Sequence, residues 1–234
     1  FAPLHLLGVV RAQQGRNAEA LDLIGQALQI SPDTPEVLLN YGNVLKNMGR
    51  FDEALASYDR ALKVRPGFPD ALFNRANALR EMKRGGEAVA SYDQVLAARP
   101  DHEGALVNRG NALHELGREV EALASFERAL ALEPQSAESW GNRGLALRDL
   151  GRHAEALASF DRVLAIAPQS AAAWNSRGNV LRDMGRFDEA IESFGQAIAL
   201  QPGYSEALNN RGYTWWSDKQ HYAPALADLE QALA

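Results

Sequence analysis

The stretch AESWGNRGLALRDLGRHAEALASFDRVLAIAPQS, residues 137–170, decides the fold of this chain because it recurs along nearly the whole sequence. Its proline, one of its alanines and one of its glycines each return every 34 residues. The three series are Pro32, Pro66, Pro100, Pro134, Pro168 and Pro202; Ala20, Ala54, Ala88, Ala122, Ala156 and Ala190; and Gly8, Gly42, Gly110, Gly144, Gly178 and Gly212, with Ala76 in the vacant place. Such a period is typical of a stacked array, which works through an extended surface more often than through one catalytic pocket.

Each repeat is expected to form two helices. In residues 103–136, apolar or small residues recur three or four apart over 104–116 and again over 120–132. Gly117 interrupts the pattern, and Pro134 ends it because proline cannot continue a helix. With the recurrent proline as position 32, the repeats cover 1–34, 35–68, 69–102, 103–136, 137–170, 171–204 and an incomplete 205–234, and we predict a single array over 1–234.

Composition limits the functions open to this chain. It has 24 Lys and Arg against 30 Asp and Glu, a net charge of −6, which argues against nucleic acid as the partner. The absence of cysteine excludes disulfides, thiolate metal sites and cysteine nucleophiles. The sequence shows no apolar run long enough to span a membrane and no signal peptide.

The common catalytic motifs are missing as well. The five histidines lack metal-ligand spacing, and no P-loop, GxGxxG or G-x-S-x-G occurs. We therefore expect no catalytic residue, no cofactor and no metal. The Ala- and Arg-rich composition favours a bacterial, cytoplasmic protein, and the opening on Phe1 inside repeat-like sequence favours a fragment.

In residues 137–170, Trp140, Gly144, Ala156 and Phe160 stand in the order W…G…A-x3-F, followed by the recurrent proline. The sequence resembles the tetratricopeptide repeat (TPR) family over essentially all 234 residues. The resemblance implies an all-α, right-handed superhelical solenoid of antiparallel helix pairs, whose first helices line a concave groove.

The chain departs from the family pattern at position 7, where arginine replaces the usual leucine. We interpret this arginine as a stem that covers the helix junction while its charged head lies in solvent. The residues concerned are Arg75, Arg109, Arg143, Arg177 and Arg211.

The family resemblance places positions 2, 5, 6, 9, 12 and 13 on the groove, and asparagine dominates two of them. Asparagine is a poor residue inside a helix, so helix propensity does not explain this ladder. Its amide offers a donor and an acceptor, as a peptide unit does, which predicts a grip on the backbone of an extended peptide. The alternative is that the amides bond to neighbouring helices and fix the angle between repeats. The residues are Asn40, Asn74, Asn108, Asn142 and Asn210 at position 6, and Asn43, Asn77, Asn111 and Asn179 at position 9.

Charged residues flank the asparagines. Arg80, Arg148 and Arg182 at position 12 are expected to select the charge of the ligand, unless they belong to a solvated charged face. Acidic residues recur at positions 2 and 13, so a mixed or basic polypeptide fits the groove better than a polyanion does.

These patterns favour a protein–protein interaction scaffold that binds an extended peptide or protein segment, with neither nucleic acid nor membrane as its partner. An alternative is the substrate-recruiting arm of a larger enzyme such as a glycosyltransferase, because the asparagine ladder resembles that of the TPR superhelix in O-linked N-acetylglucosamine transferases. RNA recognition, as in pentatricopeptide arrays, is disfavoured by the acidic balance. The carboxylate clamp of other TPR domains is also disfavoured, since its basic positions are mostly apolar, acidic or asparagine here.

The two ends of the array are expected to expose apolar packing surface. Leu226, Leu229 and Leu233 belong to the last predicted helix, with no further helix to cover them. We expect this surface to be covered either by residues outside the chain or by another copy that stacks end to end.

Overall fold

The computed structural model describes residues 1–217 and 220–233, and over these residues it contains only helices and short connections. The helices are α1 Ala2–Gln13, α2 Asn17–Ile30, α3 Pro35–Asn47, α4 Phe51–Val64, α5 Pro69–Glu81, α6 Gly85–Ala98, α7 Glu103–Glu115, α8 Glu119–Leu132, α9 Ala137–Asp149, α10 His153–Ile166, α11 Ala171–Asp183, α12 Phe187–Leu200, α13 Ser205–Ser217 and α14 Tyr222–Leu233. These bounds confirm the prediction of two helices in each repeat.

The helices pack as pairs, and we call the odd-numbered ones A helices and the even-numbered ones B helices. The chain divides into two compact units, Phe1–Gly117 and Arg118–Ala234. In each unit an A helix packs against the B helix that follows it, and that B helix packs against the next A helix. The fold is therefore an all-α solenoid of helix pairs, as expected, whereas one array over 1–234 stays a prediction.

The A helices are the more closely spaced layer in each unit. In the first unit α1 contacts α3, α3 contacts α5 and α5 contacts α7, and in the second α9 contacts α11 and α11 contacts α13. Within either unit, no B helix contacts another B helix among the described residues. The surface that the A helices present, here called the A-helix face, is thus the inner side of each unit.

A missing side chain at position 8 lets the two helices of a repeat approach each other. A Cβ atom placed on Gly42 would lie 2.5 Å from Cε1 of Tyr58, and one placed on Gly178 would lie 2.5 Å from Cε1 of Phe194. The alanine at position 20, such as Ala54, is fully buried beside this contact. The recurrent small residues and the large residue at position 24 therefore interlock.

Candidate functional site

Every residue predicted to line the groove lies on an A helix. Asn179 is buried, with 8% of its surface exposed, and the other predicted residues are partly exposed. The set comprises Asn40 and Asn43 on α3, Asn74, Asn77 and Arg80 on α5, Asn108 and Asn111 on α7, Asn142 and Arg148 on α9, Asn179 and Arg182 on α11, and Asn210 on α13.

Two position-9 asparagines accept a hydrogen bond from the B helix of their own repeat. The hydroxyl of Tyr58 donates to Oδ1 of Asn43 at 2.9 Å, and that of Tyr92 donates to Oδ1 of Asn77 at 2.6 Å. Burial raises the pKa of both tyrosines, so both hydroxyls stay protonated. Each bond uses the amide oxygen and leaves the NH₂ group able to donate elsewhere.

Asn179 lacks this partner. Its repeat carries Phe194 where the repeats of Asn43 and Asn77 carry tyrosine, and Oδ1 of Asn179 is buried with no hydrogen-bond partner among the described residues. A buried acceptor without a donor destabilises the fold, because it has lost its water. The amide is therefore locally unsatisfied as a consequence of one missing hydroxyl.

Position-6 asparagines connect neighbouring A helices in both units, as the alternative interpretation of the ladder expected. Each of three such amides bonds with a side chain of the preceding repeat. The pairs are Asn40 Nδ2 with His5 Nε2 at 2.8 Å, Asn108 Nδ2 with Asn77 Oδ1 at 3.0 Å, and Asn210 Nδ2 with Asn175 Oδ1 at 3.0 Å.

Other amides of the ladder stay free of their neighbours. Asn74 donates only to the backbone carbonyl of Asp70, one turn earlier, at 2.9 Å. Asn111 and Asn142 make no side-chain hydrogen bond with any described residue. These three amides are the members of the ladder that remain most available to a ligand.

The sequence reasoning missed Asn175, at position 5 of its repeat. This amide is 2% exposed, donates to Oε1 of Glu206 at 2.9 Å and accepts from Asn210. The signal was present, because an asparagine inside a helix at a groove position is as unusual at position 5 as at positions 6 and 9.

The position-12 bases differ between the units. In the second unit, Nε of Arg148 donates to Oδ2 of Asp183 at 2.7 Å, and the guanidinium carbon of Arg182 lies 5.7 Å from the ring centre of Tyr213. In the first unit, Arg80 and Lys46 make no ion pair with a described residue and border an open cavity of about 380 Å³. Burial lowers the pKa of Lys46 against the opposing effect of Glu81.

The arginine at position 7 is a structural connector, and the prediction of a solvated head was wrong. Nε of Arg177 donates to Oδ1 of Asp161 in the preceding B helix at 2.8 Å, and Nη1 donates to Oγ of Ser193 in the following B helix at 2.7 Å. Only 22% of the Arg177 side chain is exposed. Equivalent bonds link Arg75 to Asp59 and Ser91, Arg109 to Asp93, and Arg143 to Glu127 and Ser159.

The last repeat uses a variant of this connection. The acidic position of the preceding B helix is Gly195, and the serine position is Asp228. Arg211 donates to both carboxylate oxygens of Asp228, at 2.8 and 2.6 Å. The acid has thus moved from one side of the guanidinium to the other, which keeps the arginine paired.

Comparison with known proteins agrees with this geometry. Family models described as tetratricopeptide repeat match residues 39–103, 82–132 and 175–234 in one case, 135–202 in a second and 4–38 in a third. None of the curated proteins matches the sequence. No described helix has the length and apolar character needed to cross a membrane.

Solved structures give the same result. The crystal structure of YrrB, described as a TPR protein with an unusual peptide-binding site, is 25% identical, with a TM-score of 0.71 over 79% of this chain and 95% of that one. The structure of MamA is 25% identical, with a TM-score of 0.63 over 68% of this chain and 92% of that one. A tetratricopeptide repeat protein from Parabacteroides merdae shares 20% identity and the fold, with a TM-score of 0.77 over 99% of this chain and 91% of that one.

Proposed function

Because this chain belongs to the tetratricopeptide repeat family, we propose that it is a non-catalytic scaffold that binds an extended polypeptide along its A-helix face. The observation that carries the proposal is that several amides of the ladder have an NH₂ group that is not used within the fold. Asn43 and Asn77 use their oxygens towards tyrosines, so each has an NH₂ group left to donate. Asn74, Asn111 and Asn142 are free of neighbouring repeats. A row of such donors suits the carbonyl oxygens of an extended backbone.

The likeness to YrrB supports the same proposal, since that protein is described as having a peptide-binding site. The basic residues at position 12 add a preference for the charge of the ligand to this proposal. Arg80 and Lys46 lie unpaired beside one open cavity and are suited to an acidic side chain of the ligand. Arg148 is held by Asp183, so its contribution to charge selection is smaller.

A random-peptide display library provides the test. Peptides retained by the wild type are synthesised, and their affinity is measured by fluorescence anisotropy for an Asn74→Ala/Asn111→Ala/Asn142→Ala variant. We expect the affinity to fall by roughly tenfold or more, because several net hydrogen bonds of about 0.5–1.5 kcal/mol each are lost.

A matched control removes three exposed amides from the B helices, in a Gln26→Ala/Gln94→Ala/Gln196→Ala variant. This variant is expected to bind as the wild type does. Equal affinity of the asparagine variant and the wild type, or a loss confined to the glutamine variant, would contradict binding on the A-helix face.

We also propose that copies associate end to end. Leu226 and Leu233 are 59% and 89% exposed, whereas Leu21 and Leu28, their equivalents in α2, pack against the core that α2 shares with α3. At the other end Val10, the equivalent of the buried Val44, is 40% exposed. Sedimentation velocity is expected to show concentration-dependent assembly that a Leu226→Lys variant abolishes, and a monomer at all concentrations would refute it.

A further inference from the structure

An apolar niche of about 330 Å³ opens on the A-helix face of the second unit, between α9, α10 and α11. Leu145, Phe160 and Val163 form its apolar lining. Glu138 and Asn142 also border it. The niche is thus an apolar depression within a face whose predicted contacts are amides and charges.

The niche exists because position 5 of this repeat is Gly141. The three preceding repeats carry Leu39, Phe73 and Val107 at the same position. Packing does not require the glycine, because a Cβ atom placed on Gly141 would come no closer than 3.9 Å to Cγ2 of Val163, an ordinary contact. The helix therefore contains a glycine that weakens it without any steric reason in the fold.

The third repeat shows what fills the equivalent space. The ring of Phe73 lies with its centre 6.1 Å from that of Tyr92 and 4.8 Å from that of His102. Its Cζ atom would be 3.5 Å from a Cβ atom placed on Gly104. The equivalents of these three neighbours all line the niche, and they are Phe160, Ser170 and Ala172. The niche is therefore the space that a ring equivalent to Phe73 would fill if residue 141 had a side chain.

Two further features distinguish this repeat. Position 9 is Leu145 where the three preceding repeats have asparagine, which makes the lining apolar. At the border, the carboxylate of Glu138 makes no ion pair, and the amide of Asn142 makes no hydrogen bond, with any described residue. An apolar pocket, a free amide and an unpaired negative charge thus meet within about two turns of α9.

We propose that the niche is a specificity pocket that receives one large apolar side chain of an extended polypeptide, next to a basic residue of the same polypeptide. The inference rests on the proposed function and adds the sequence preference that the amide ladder does not provide. The apolar side chain takes the place that Phe73 occupies in its own repeat. Asn142 bonds the adjoining peptide unit, and Glu138 pairs with the basic side chain.

The probe for this pocket is the capped dipeptide N-acetyl-Lys-Phe-amide, with N-acetyl-Lys-Ser-amide as its polar control. Binding is followed through the NMR methyl resonances of Leu145 and Val163. In a Gly141→Phe variant the protein's own ring fills the niche, so we expect the affinity for Lys-Phe to fall roughly tenfold or more. A Gly141→Ala variant leaves most of the niche open and is expected to bind as the wild type does.

A Leu145→Asn variant provides a second test that does not depend on how a new phenylalanine packs. It restores the asparagine of other repeats and makes the lining polar, so Lys-Phe should again bind at least roughly tenfold more weakly. Unchanged affinity in both the Gly141→Phe and Leu145→Asn variants would overturn the inference. Equal binding of Lys-Phe and Lys-Ser by the wild type would do the same.

The display library separates this inference from the proposed function. Recovery of the same peptides by the wild type and the Gly141→Phe variant would leave binding on the A-helix face intact and refute the pocket. Dipeptide binding that Gly141→Phe abolishes, with no library peptide retained by the wild type, would uphold the niche as a site for one apolar side chain but refute the proposed binding of extended polypeptides.

Discussion

The hydroxyl of Tyr58 donates a 2.9 Å hydrogen bond to Oδ1 of Asn43. Phe194 and Asn179 occupy the equivalent positions in a later repeat, but Phe194 has no hydroxyl to donate. The two rings occupy equivalent places, since each approaches the glycine at position 8 through Cε1, Cδ1 and Cζ. A Phe194→Tyr change should supply the missing donor and stabilise the fold by about 1 kcal/mol, measured as the free energy of unfolding in urea.

The control for this prediction is Phe160→Tyr, in the repeat where position 9 is Leu145. The new hydroxyl would meet an apolar side chain, so we expect a destabilisation of about 1–3 kcal/mol. If Phe194→Tyr is no more stable than the wild type, Asn179 is not the acceptor that the repeat geometry indicates.

Two glycines of the same fold should respond in opposite ways to alanine. At Gly178 the added Cβ atom would lie 2.5 Å from Phe194, so Gly178→Ala should destabilise the protein by about 1–3 kcal/mol through overpacking. At Gly141 the space is open, and Gly141→Ala should stabilise it by up to about 1 kcal/mol through helix propensity. Urea unfolding of the two variants side by side checks both signs, and a shift in the same direction would contradict the packing described.

The acidic partner of Arg211 should be transferable from residue 228 on α14 to residue 195 on α12. Asp228→Ser leaves the guanidinium, 25% exposed, without its carboxylate, which should destabilise the fold by about 2–4 kcal/mol. Adding Gly195→Asp rebuilds the arrangement of Arg177 with Asp161 and Ser193, and should recover much of that loss. A double variant no more stable than Asp228→Ser alone would show that the acid cannot act from the preceding helix.

Acid should weaken the contact between α1 and α3. Burial lowers the pKa of His5, against the opposing effect of Glu36, so folded His5 binds protons less readily than unfolded His5 does. The contribution of this group to stability is therefore present above its ordinary pKa of 6.5 and is lost as the pH falls towards the folded pKa. Urea unfolding at pH 7.5 and 5.5 should show a larger loss for the wild type than for His5→Gln, which does not titrate. Equal losses would exclude His5 as the cause.

The sequence predicted the helices and their pairing because these depend on small residues that recur along the chain, such as Ala54 and Gly42. It did not predict the partners of Arg177, because Asp161 and Ser193 each lie 16 residues away and meet the guanidinium only once three helices are stacked. The niche at Gly141 was missed for another reason. The missing side chain at Gly141 indicates a pocket only once the structure shows that the ring of Phe73 fills the equivalent space in the third repeat.

Within the first unit, the step between the first two repeats lacks the arginine–aspartate ion pair that the two later steps share through Arg75 and Arg109. Tyr41 occupies the position of the connecting arginine, and it faces Gly25 instead of an acid, beside an open cavity of about 500 Å³. Directional bonds resist rotation, whereas an aromatic ring over a glycine slides with little change in energy. We therefore expect the contact between α2 and α3 to resist rotation less than the contacts that Arg75 and Arg109 make with the preceding helices.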